Sequence, residues 1–202
     1  MRAVLASKNA HKLQEISKIV AEFGMELVLQ SELGIDIDVE ETGTTFEENS
    51  MLKARAVMEA SGMAAIADDS GLMVDALDGA PGIYSARYGG DLCKNDVERY
   101  EYLLKNLETV PDEKRGAQFV SVISLVYPDG SAIVARGECP GVILRAPRGE
   151  NGFGYDPVFY MEEDGCTMAE MSPERKNEIS HRARALQALA QKLKEAESDD
   201  DK

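Results

Sequence analysis

The first third of the chain alternates apolar and polar stretches in a way that predicts a strand, a helix and a second strand. Arg2 to Ala6 is a short apolar run typical of a strand. Asn9 to Phe23 is predicted as a helix ending at Gly24, and Met25 to Gln30 as the next strand. The helix has apolar residues at helical spacing, namely Leu13, Ile16 and Val20. The pattern therefore opens an α/β arrangement.

A second helix is predicted from Phe46 to Ser61, with Thr44 or Thr45 as its cap. Asn49 and Lys53 are four residues apart, so the helix presents an amide and an ammonium on one face. Exposed Asn and Lys on a helix also occur without any function. Residues 36–40 alternate polar and apolar side chains, which predicts an edge strand before this helix.

The second half of the chain predicts a hairpin followed by a broken helix. Ala117–Tyr127 and Ala132–Glu138 read as strands joined by a Pro-Asp-Gly-Ser turn. A helix is predicted from Asn95 to Leu107, a short strand at residues 158–160, and a capped helix after Ser172-Pro173. On one unbroken helix Lys176 and His181 would point about 140° apart, so a break is expected near residues 177–180.

A candidate catalytic stretch lies in the middle of the chain, where the apolar run from Ala64 meets Asp68, Asp69, Ser70 and Gly71. We expect a buried strand that ends at these two carboxylates and presents them to solvent. Adjacent strand residues point to opposite faces, which favours one catalytic and one supporting aspartate. Asp-Asp-Ser-Gly is also an ordinary turn composition.

Composition limits the chemistry that these residues can perform. The 202 residues carry a formal net charge of −15, part of it in a tail at 196–202 that we expect to be frayed, which argues against a nucleic-acid binder. Two histidines are too few for a histidine-rich metal site, so oxygen ligands and Mg²⁺, or Mn²⁺ as the alternative, are expected. Three distant cysteines indicate reduced thiols, and no apolar segment spans a membrane, which predicts a cytoplasmic protein.

Two further stretches carry candidate ligand-binding groups. Ser7, Lys8 and Asn9 precede Lys12 at the start of the first helix, where backbone amides and an ammonium favour phosphate; a plain helix cap is the alternative. Near residue 153 glycines flank an aromatic residue, so a ring and backbone could approach a flat ligand, unless Phe153 is simply packed in a turn.

In their order and their residues, these motifs resemble those of the inosine triphosphate pyrophosphatase (XTP/dITP diphosphatase) family over nearly the whole chain. The resemblance rests on Ala6-Ser7-Lys8-Asn9 with Lys12, Glu41 to Asn49, Lys53-Ala54, Ala67 to Leu72, Gly79 to Tyr88, Gly152 to Pro157, Lys176, and Ser180-His181-Arg182. Lys8 departs from the glycine found in many relatives, which affects the conformation of that loop.

The resemblance implies a single domain over residues 1–202, with two lobes around a mixed sheet flanked by helices and an active-site cleft between the lobes. It further implies a Mg²⁺-dependent homodimer that hydrolyses ITP, dITP and XTP to the monophosphate and pyrophosphate.

Residue roles follow from the same resemblance. Asp69 is expected to be the catalytic base, Glu41 and Asp69 the metal ligands, and Asp68 and Asn49 supporting residues. The expected substrate contacts are Ser7, Lys8, Asn9, Ala10, His11, Lys12, Lys53, Ser70, Phe153, Gly154, Tyr155, Asp156, Lys176, His181 and Arg182. Donors from His181 and Arg182 facing a 6-oxo group would disfavour adenine, whose amino group is itself a donor.

Three other functions compete with this interpretation. A nucleotide-binding sensor without turnover would be favoured by the absence of Asp69 or Lys53, and both are present. A Maf-like pyrophosphatase acting on modified pyrimidine triphosphates could share the fold, but the Ser180-His181-Arg182 ending favours purines. An acidic structural partner protein is supported only by the net charge.

Overall fold

A mixed sheet of seven strands, flanked by helices, forms the protein in the computed structural model. The model describes the backbone of residues 1–7 and 10–200, and side chains outside residues 10–12, 14–15, 197 and 199–200. The strands are β1 (Arg2–Leu5), β2 (Glu26–Leu29), β3 (Ala64–Val74), β4 (Gly116–Val126), β5 (Ala132–Ile143), β6 (Phe159–Met161) and β7 (Cys166–Thr167). The helices are α1 (Ala10–Ala21), α2 (Phe46–Ser61), α3 (Asp96–Asn106), α4 (Pro173–Ile179) and α5 (His181–Asp200).

The strand order is β2-β1-β3-β4-β5-β6-β7. Strand β1 pairs in parallel with both β2 and β3, as in Val4 opposite Val28 and Val4 opposite Ala65. Such pairs need a crossover connection, and α1 and α2 lie in the two connections. At the other edge β5, β6 and β7 pair antiparallel, with Ile143 opposite Phe159. The α/β class predicted from the alternating pattern is therefore confirmed.

The chain divides into two compact units whose boundaries fall within the three long strands and near the start of α5. The first unit contains Met1–Asp69, Ser121–Gly137 and Arg184–Lys202, and the second contains Ser70–Val120 and Glu138–Ala183. Each has its own apolar core. Fully buried residues include Ile16 and Ile66 in the first unit, and Leu103 and Phe159 in the second.

Most predicted elements are present with small shifts. Helix α2 has the predicted bounds, and the chain breaks at Ser180 between α4 and α5 as the angular argument required. The predicted edge strand at residues 36–40 is wrong, because these residues form no regular structure. In the described part of the chain, no helix has the length and apolar character needed to cross a bilayer.

The strand carrying the aspartate pair does not end where the sequence pattern predicted. Strand β3 continues through Asp68 and Asp69 to Val74, and the residues after Asp69 include the fully buried Leu72. The prediction failed because a polar pair inside a strand looks like a strand end until its partners on other elements are known. The carboxylates lie in the middle of a strand, where the backbone holds them firmly.

Candidate active site

The first turn of α2 is fixed by reciprocal side-chain caps. Thr45 Oγ1 accepts a hydrogen bond from the Glu48 amide at 3.1 Å, and the Glu48 carboxylate accepts from the Thr44 amide at 2.6 Å. The Thr44 hydrogen bonds hold the pKa of Glu48 below its ordinary value. The Glu48 amide would otherwise be an unsatisfied helix donor, and the Thr44 bond ties the residue before the cap to the same turn. The capped helix start gives a rigid base for Asn49 and Lys53.

Asn49 fastens the loop before α2 to the helix. Its side chain is fully buried, and Oδ1 accepts from the Gly43 amide at 2.8 Å. A Cβ at Gly43 would lie only 2.6 Å from that oxygen, so the approach requires glycine. Asn49 Nδ2 is buried and has no hydrogen-bond partner among the described residues. The loop that carries Glu41 is thus held two residues downstream of the carboxylate.

Lys53 brings two distant carboxylates together. Its Nζ donates to Glu41 Oε1 at 2.8 Å and to Asp69 Oδ1 at 2.9 Å. All three side chains are less than a quarter exposed. An ammonium within hydrogen-bond distance of both groups means that their oxygens converge on one position. We call Glu41, Lys53, Asp68 and Asp69 the acidic cluster.

The acidic cluster has more negative than positive charge. Burial raises the pKa of Asp69; Lys53 partly offsets this, and the carboxylates of Glu41 and Asp68 raise it further. Burial lowers the pKa of Lys53, but the charge of Asp69 and the hydrogen bonds to Glu41 and Asp69 outweigh it, so the net shift is upward. Burial is thus the main cause of the Asp69 shift, whereas the carboxylates of Asp69 and Glu41 cause the shift of Lys53. Such a site favours the binding of further positive charge.

Asp68 has a different partner from Asp69, as alternation along a strand requires. The Ser121 hydroxyl of β4 donates to Asp68 Oδ1 at 3.0 Å, and both residues are buried. Asp69 Oδ2, in contrast, is buried without a hydrogen-bond partner among the described residues. Ser121 was not predicted as a site residue. The available signal was a hydroxyl within an otherwise apolar strand.

A second group of predicted residues meets in the second unit. Phe153 keeps an exposed ring, with 64% relative exposure, while its backbone amide donates to Asp156 Oδ2 at 2.9 Å. Lys176 also donates to Asp156 Oδ2, and its Nζ lies 4.8 Å from the centroid of the Phe153 ring. A Cβ at Gly152 would lie 2.0 Å from Asp156 Oδ2, so this turn also requires glycine. We call Phe153, Asp156 and Lys176 the aromatic cluster.

The residues that follow Phe153 anchor its loop on both sides. The Gly154 amide donates to Asp96 Oδ2 at 2.9 Å, and the Tyr155 hydroxyl donates to the Ser85 carbonyl at 2.7 Å. Burial raises the pKa of Tyr155, which keeps the phenol protonated as a donor. Gly154 and Tyr155 thus hold the loop in place, while the ring of Phe153 stays exposed.

His181 begins α5 with its ring in the core of the second unit. Ser180 caps the helix by accepting from the Ala183 amide at 3.2 Å. The imidazole stacks on Phe119 of β4, with ring centroids 4.9 Å apart and planes 18° apart. Arg182 follows and is half-buried. Sequence reasoning identified His181 and Arg182 but missed Phe119, since one aromatic in an apolar strand carries no distinctive signal.

Some predicted site residues remain untested. Lys8 and Asn9 lie outside the described residues, as do the side chains of Ala10, His11 and Lys12, whose backbone belongs to α1. Ser7 follows β1, and its amide donates to the Leu5 carbonyl at 2.8 Å. Ser70 follows Asp69 in β3 and is half-buried. The phosphate-binding role of the first turn therefore stays a prediction.

Residues 3–192 of the chain match the model of the Ham1 family. A dITP/XTP pyrophosphatase from Haemophilus influenzae is 51% identical over 194 residues, which cover 95% of this chain and 98% of the relative. One of the same name from Clostridium perfringens is 50% identical over 197 residues, covering 95% and 96%. The solved structure of the Staphylococcus aureus Ham1 protein has a TM-score of 0.90 at 45% identity, covering 97% of this chain and all of that one (100%).

Proposed function

The chain belongs to the Ham1 family, and from this membership we propose that it hydrolyses dITP, ITP and XTP to the nucleoside monophosphate and pyrophosphate. The named relatives at about 50% identity support the reaction class, and the family resemblance made from the motifs is confirmed. The observation that carries the proposal in this chain is the convergence of Glu41, Lys53 and Asp69 at distances of 2.8 and 2.9 Å.

Magnesium fits the donor set of the acidic cluster. Among the described residues no group of three or more His, Cys, Asp or Glu side chains is arranged to hold a metal. Mg²⁺ does not require one, because it is commonly held by one or two carboxylates together with water and substrate phosphates. Glu41 and Asp69 supply two convergent carboxylates, and Asp69 Oδ2 is buried without a partner in the described chain. Bound there, Mg²⁺ would neutralise phosphate charge.

In the proposed reaction Asp69 acts as the general base. Its carboxylate takes a proton from water as the water oxygen bonds to the α-phosphorus. The bond from that phosphorus to the bridging oxygen breaks, and pyrophosphate leaves with the electron pair. A raised pKa makes Asp69 a stronger base than an ordinary aspartate. Lys53 orients this carboxylate and offsets the negative charge of the phosphates.

Asp68 has a supporting role in this proposal. Its bond from Ser121 fixes the strand beside Asp69, and its charge contributes to the raised pKa of that neighbour. The two aspartates are given different roles because they have different partners. Asp69 bonds to Lys53 of α2, whereas Asp68 bonds to Ser121 of β4. Asn49 supports Glu41 through the Gly43 amide in the same way.

The aromatic cluster is proposed to bind the base. The exposed ring of Phe153 offers a stacking surface, and Asp156 and Lys176 fix the loop that presents it. Lys176 is expected to contact the substrate, and its contacts with Asp156 and the Phe153 ring favour a role at the base rather than at the phosphates. His181 and Arg182 would donate to the 6-oxo group of inosine or xanthosine. A buried donor left facing the amino group of adenine costs roughly 1 to 3 kcal/mol, which disfavours ATP.

The test is hydrolysis of ITP, XTP, dITP, ATP and GTP with Mg²⁺, with pyrophosphate and orthophosphate measured separately. We expect pyrophosphate as the first product and a clear preference for the 6-oxo substrates over ATP. Orthophosphate as the first product would exclude the proposed bond cleavage. Dependence on Mg²⁺, homodimeric assembly and a cytoplasmic location stay predictions; omission of the metal and light scattering test the first two.

A further inference from the structure

We propose that Phe119 is a positioning residue for base discrimination, because its ring fixes the plane of the His181 imidazole and hence the direction in which the imidazole edge donates. The proposal rests on the proposed function in taking a 6-oxopurine as the ligand of His181. It assigns a role in specificity to a residue in the interior of β4.

The geometry around His181 leaves the imidazole one orientation against Phe119. The two rings are nearly parallel at 18°, with centroids 4.9 Å apart, and the residues are only 7% and 8% exposed. Phe119 is itself supported by the fully buried Phe159, whose ring centroid is 4.4 Å away. Phe119 therefore has no free space into which to retreat, and the imidazole lies on a fixed flat surface.

This contact matters because the ring torsion of histidine is intrinsically soft. Torsions between a tetrahedral and a trigonal carbon have broad minima, so the backbone alone does not set the plane of an imidazole. The ring nitrogens lie in that plane, and a hydrogen bond weakens steeply as its angle departs from linearity. A stacked neighbour that fixes the imidazole plane therefore also fixes the direction of the hydrogen bond that the imidazole donates to the ligand.

A purely structural role for Phe119 predicts different behaviour. If the ring only fills space, Phe119→Leu lowers stability and affects all substrates alike. If the ring orients His181, the same substitution weakens ITP more than ATP, which gains nothing from a correctly aimed donor. Leu103→Ala is the control, since Leu103 of α3 is fully buried in the same apolar core and the change keeps both the Phe119 ring and its neighbour Phe159.

The experiment compares kcat and KM for ITP and ATP in the wild type, Phe119→Leu, Phe119→Tyr and Leu103→Ala. For Phe119→Leu we expect KM for ITP to rise about three- to tenfold, kcat to change less than about twofold, and the preference for ITP over ATP to fall accordingly. Phe119→Tyr keeps the ring and should restore the preference. Phe119→Met repeats the test if Phe119→Leu does not fold. Equal ITP-to-ATP ratios in wild type and the Phe119 variants lacking the ring would overturn the proposal.

A second measurement separates this proposal from the proposed reaction. The chain has only two histidines, so the imidazole proton NMR signals of His181 can be assigned with one variant. Inosine monophosphate should move these signals in the wild type, and its affinity should fall in Phe119→Leu but not in Leu103→Ala. Absent hydrolysis of ITP refutes the reaction while this titration still decides the role of Phe119. If inosine monophosphate does not shift the His181 signals of the wild type, the positioning role of Phe119 is refuted.

Discussion

The acidic cluster and the aromatic cluster both contain a lysine bound to a buried aspartate, but they differ in charge balance. In the acidic cluster Lys53 bonds to two carboxylates, Glu41 and Asp69, and Asp69 Oδ2 is buried without a partner in the described chain. In the aromatic cluster one carboxylate, Asp156, meets one ammonium, Lys176, and also accepts the Phe153 amide. Among their named residues, the acidic cluster therefore has excess negative charge, whereas the charges of the aromatic cluster balance.

This difference matches what each cluster is proposed to do. A site that must hold a metal ion and take a proton benefits from excess negative charge, because that charge raises both cation affinity and basicity. A site that recognises a flat base benefits from a neutral, rigid support beneath an exposed ring. A lysine–aspartate pair is therefore proposed to take part in the reaction in the first unit and to support the base-binding loop in the second.

The largest effect is expected from Asp69→Asn, which removes the proposed base and one carboxylate while keeping the shape of the side chain. Turnover of ITP should fall at least about a thousandfold, with the thermal unfolding curve retained. Asp129→Asn is the control, because Asp129 is an exposed carboxylate of the same unit that accepts hydrogen bonds from the Ser131 amide and hydroxyl in the hairpin turn. Pyrophosphate release measures both. Unchanged turnover in Asp69→Asn would remove this residue from the role of base.

Local sequence signals were enough to predict the helix boundaries but not the active-site contacts. The bounds of α2 and the break at Ser180 were predictable because caps act within a few residues, as the Thr45 and Ser180 hydrogen bonds show. The assignment of Glu41, Lys53 and Asp69 to one site rested on the family resemblance, because no local sequence pattern links residues so far apart in the chain.

What the sequence could not reveal depends on partners from distant strands. Strand β3 continues through its two carboxylates because Ser121 and Lys53 satisfy them from β4 and α2, which no local pattern encodes. Alternation at residues 36–40 predicted an edge strand, yet these residues lie outside the sheet. Alternation is a necessary feature of a half-buried strand, but it supplies no neighbour to pair with.

The next largest effect comes from replacing each of the two lysines, Lys53 and Lys176, with methionine and comparing the results. Lys53→Met should raise the affinity for Mn²⁺ alone at least about tenfold, because it removes a cation that occupies oxygens of Glu41 and Asp69. Lys176→Met should leave Mn²⁺ binding unchanged and instead destabilise the fold by about 3 kcal/mol, because Asp156 is left buried and uncompensated.

Both variants are measured by metal titration without nucleotide and by urea unfolding. Adding Asp156→Asn to Lys176→Met should recover most of the lost stability, since the buried charge is then gone. Weaker Mn²⁺ binding in Lys53→Met would contradict the view that its ammonium occupies the cation position. Tighter Mn²⁺ binding in Lys176→Met would remove the proposed difference between the clusters.

The smallest effect concerns the acid limb of the pH profile. Asp69 must be ionised to accept a proton, and its pKa is raised by burial first and then by Glu41 and Asp68, so kcat/KM should fall with decreasing pH above the ordinary range of an aspartate. Asp68→Asn removes one of the charges that raise this pKa and keeps an oxygen for the Ser121 bond. The limb should therefore move to lower pH.

Ser121→Ala is the matched variant for this shift, because it removes the hydroxyl that bonds to Asp68 and leaves the carboxylate charge in place. Its acid limb should not move to lower pH, since an unbonded Asp68 carboxylate still repels the charge on Asp69. Ionisation of the substrate phosphates is common to all three proteins, so the difference between their limbs reports the enzyme alone. An acid limb that stays in place in Asp68→Asn would mean that excess negative charge does not set the basicity of Asp69.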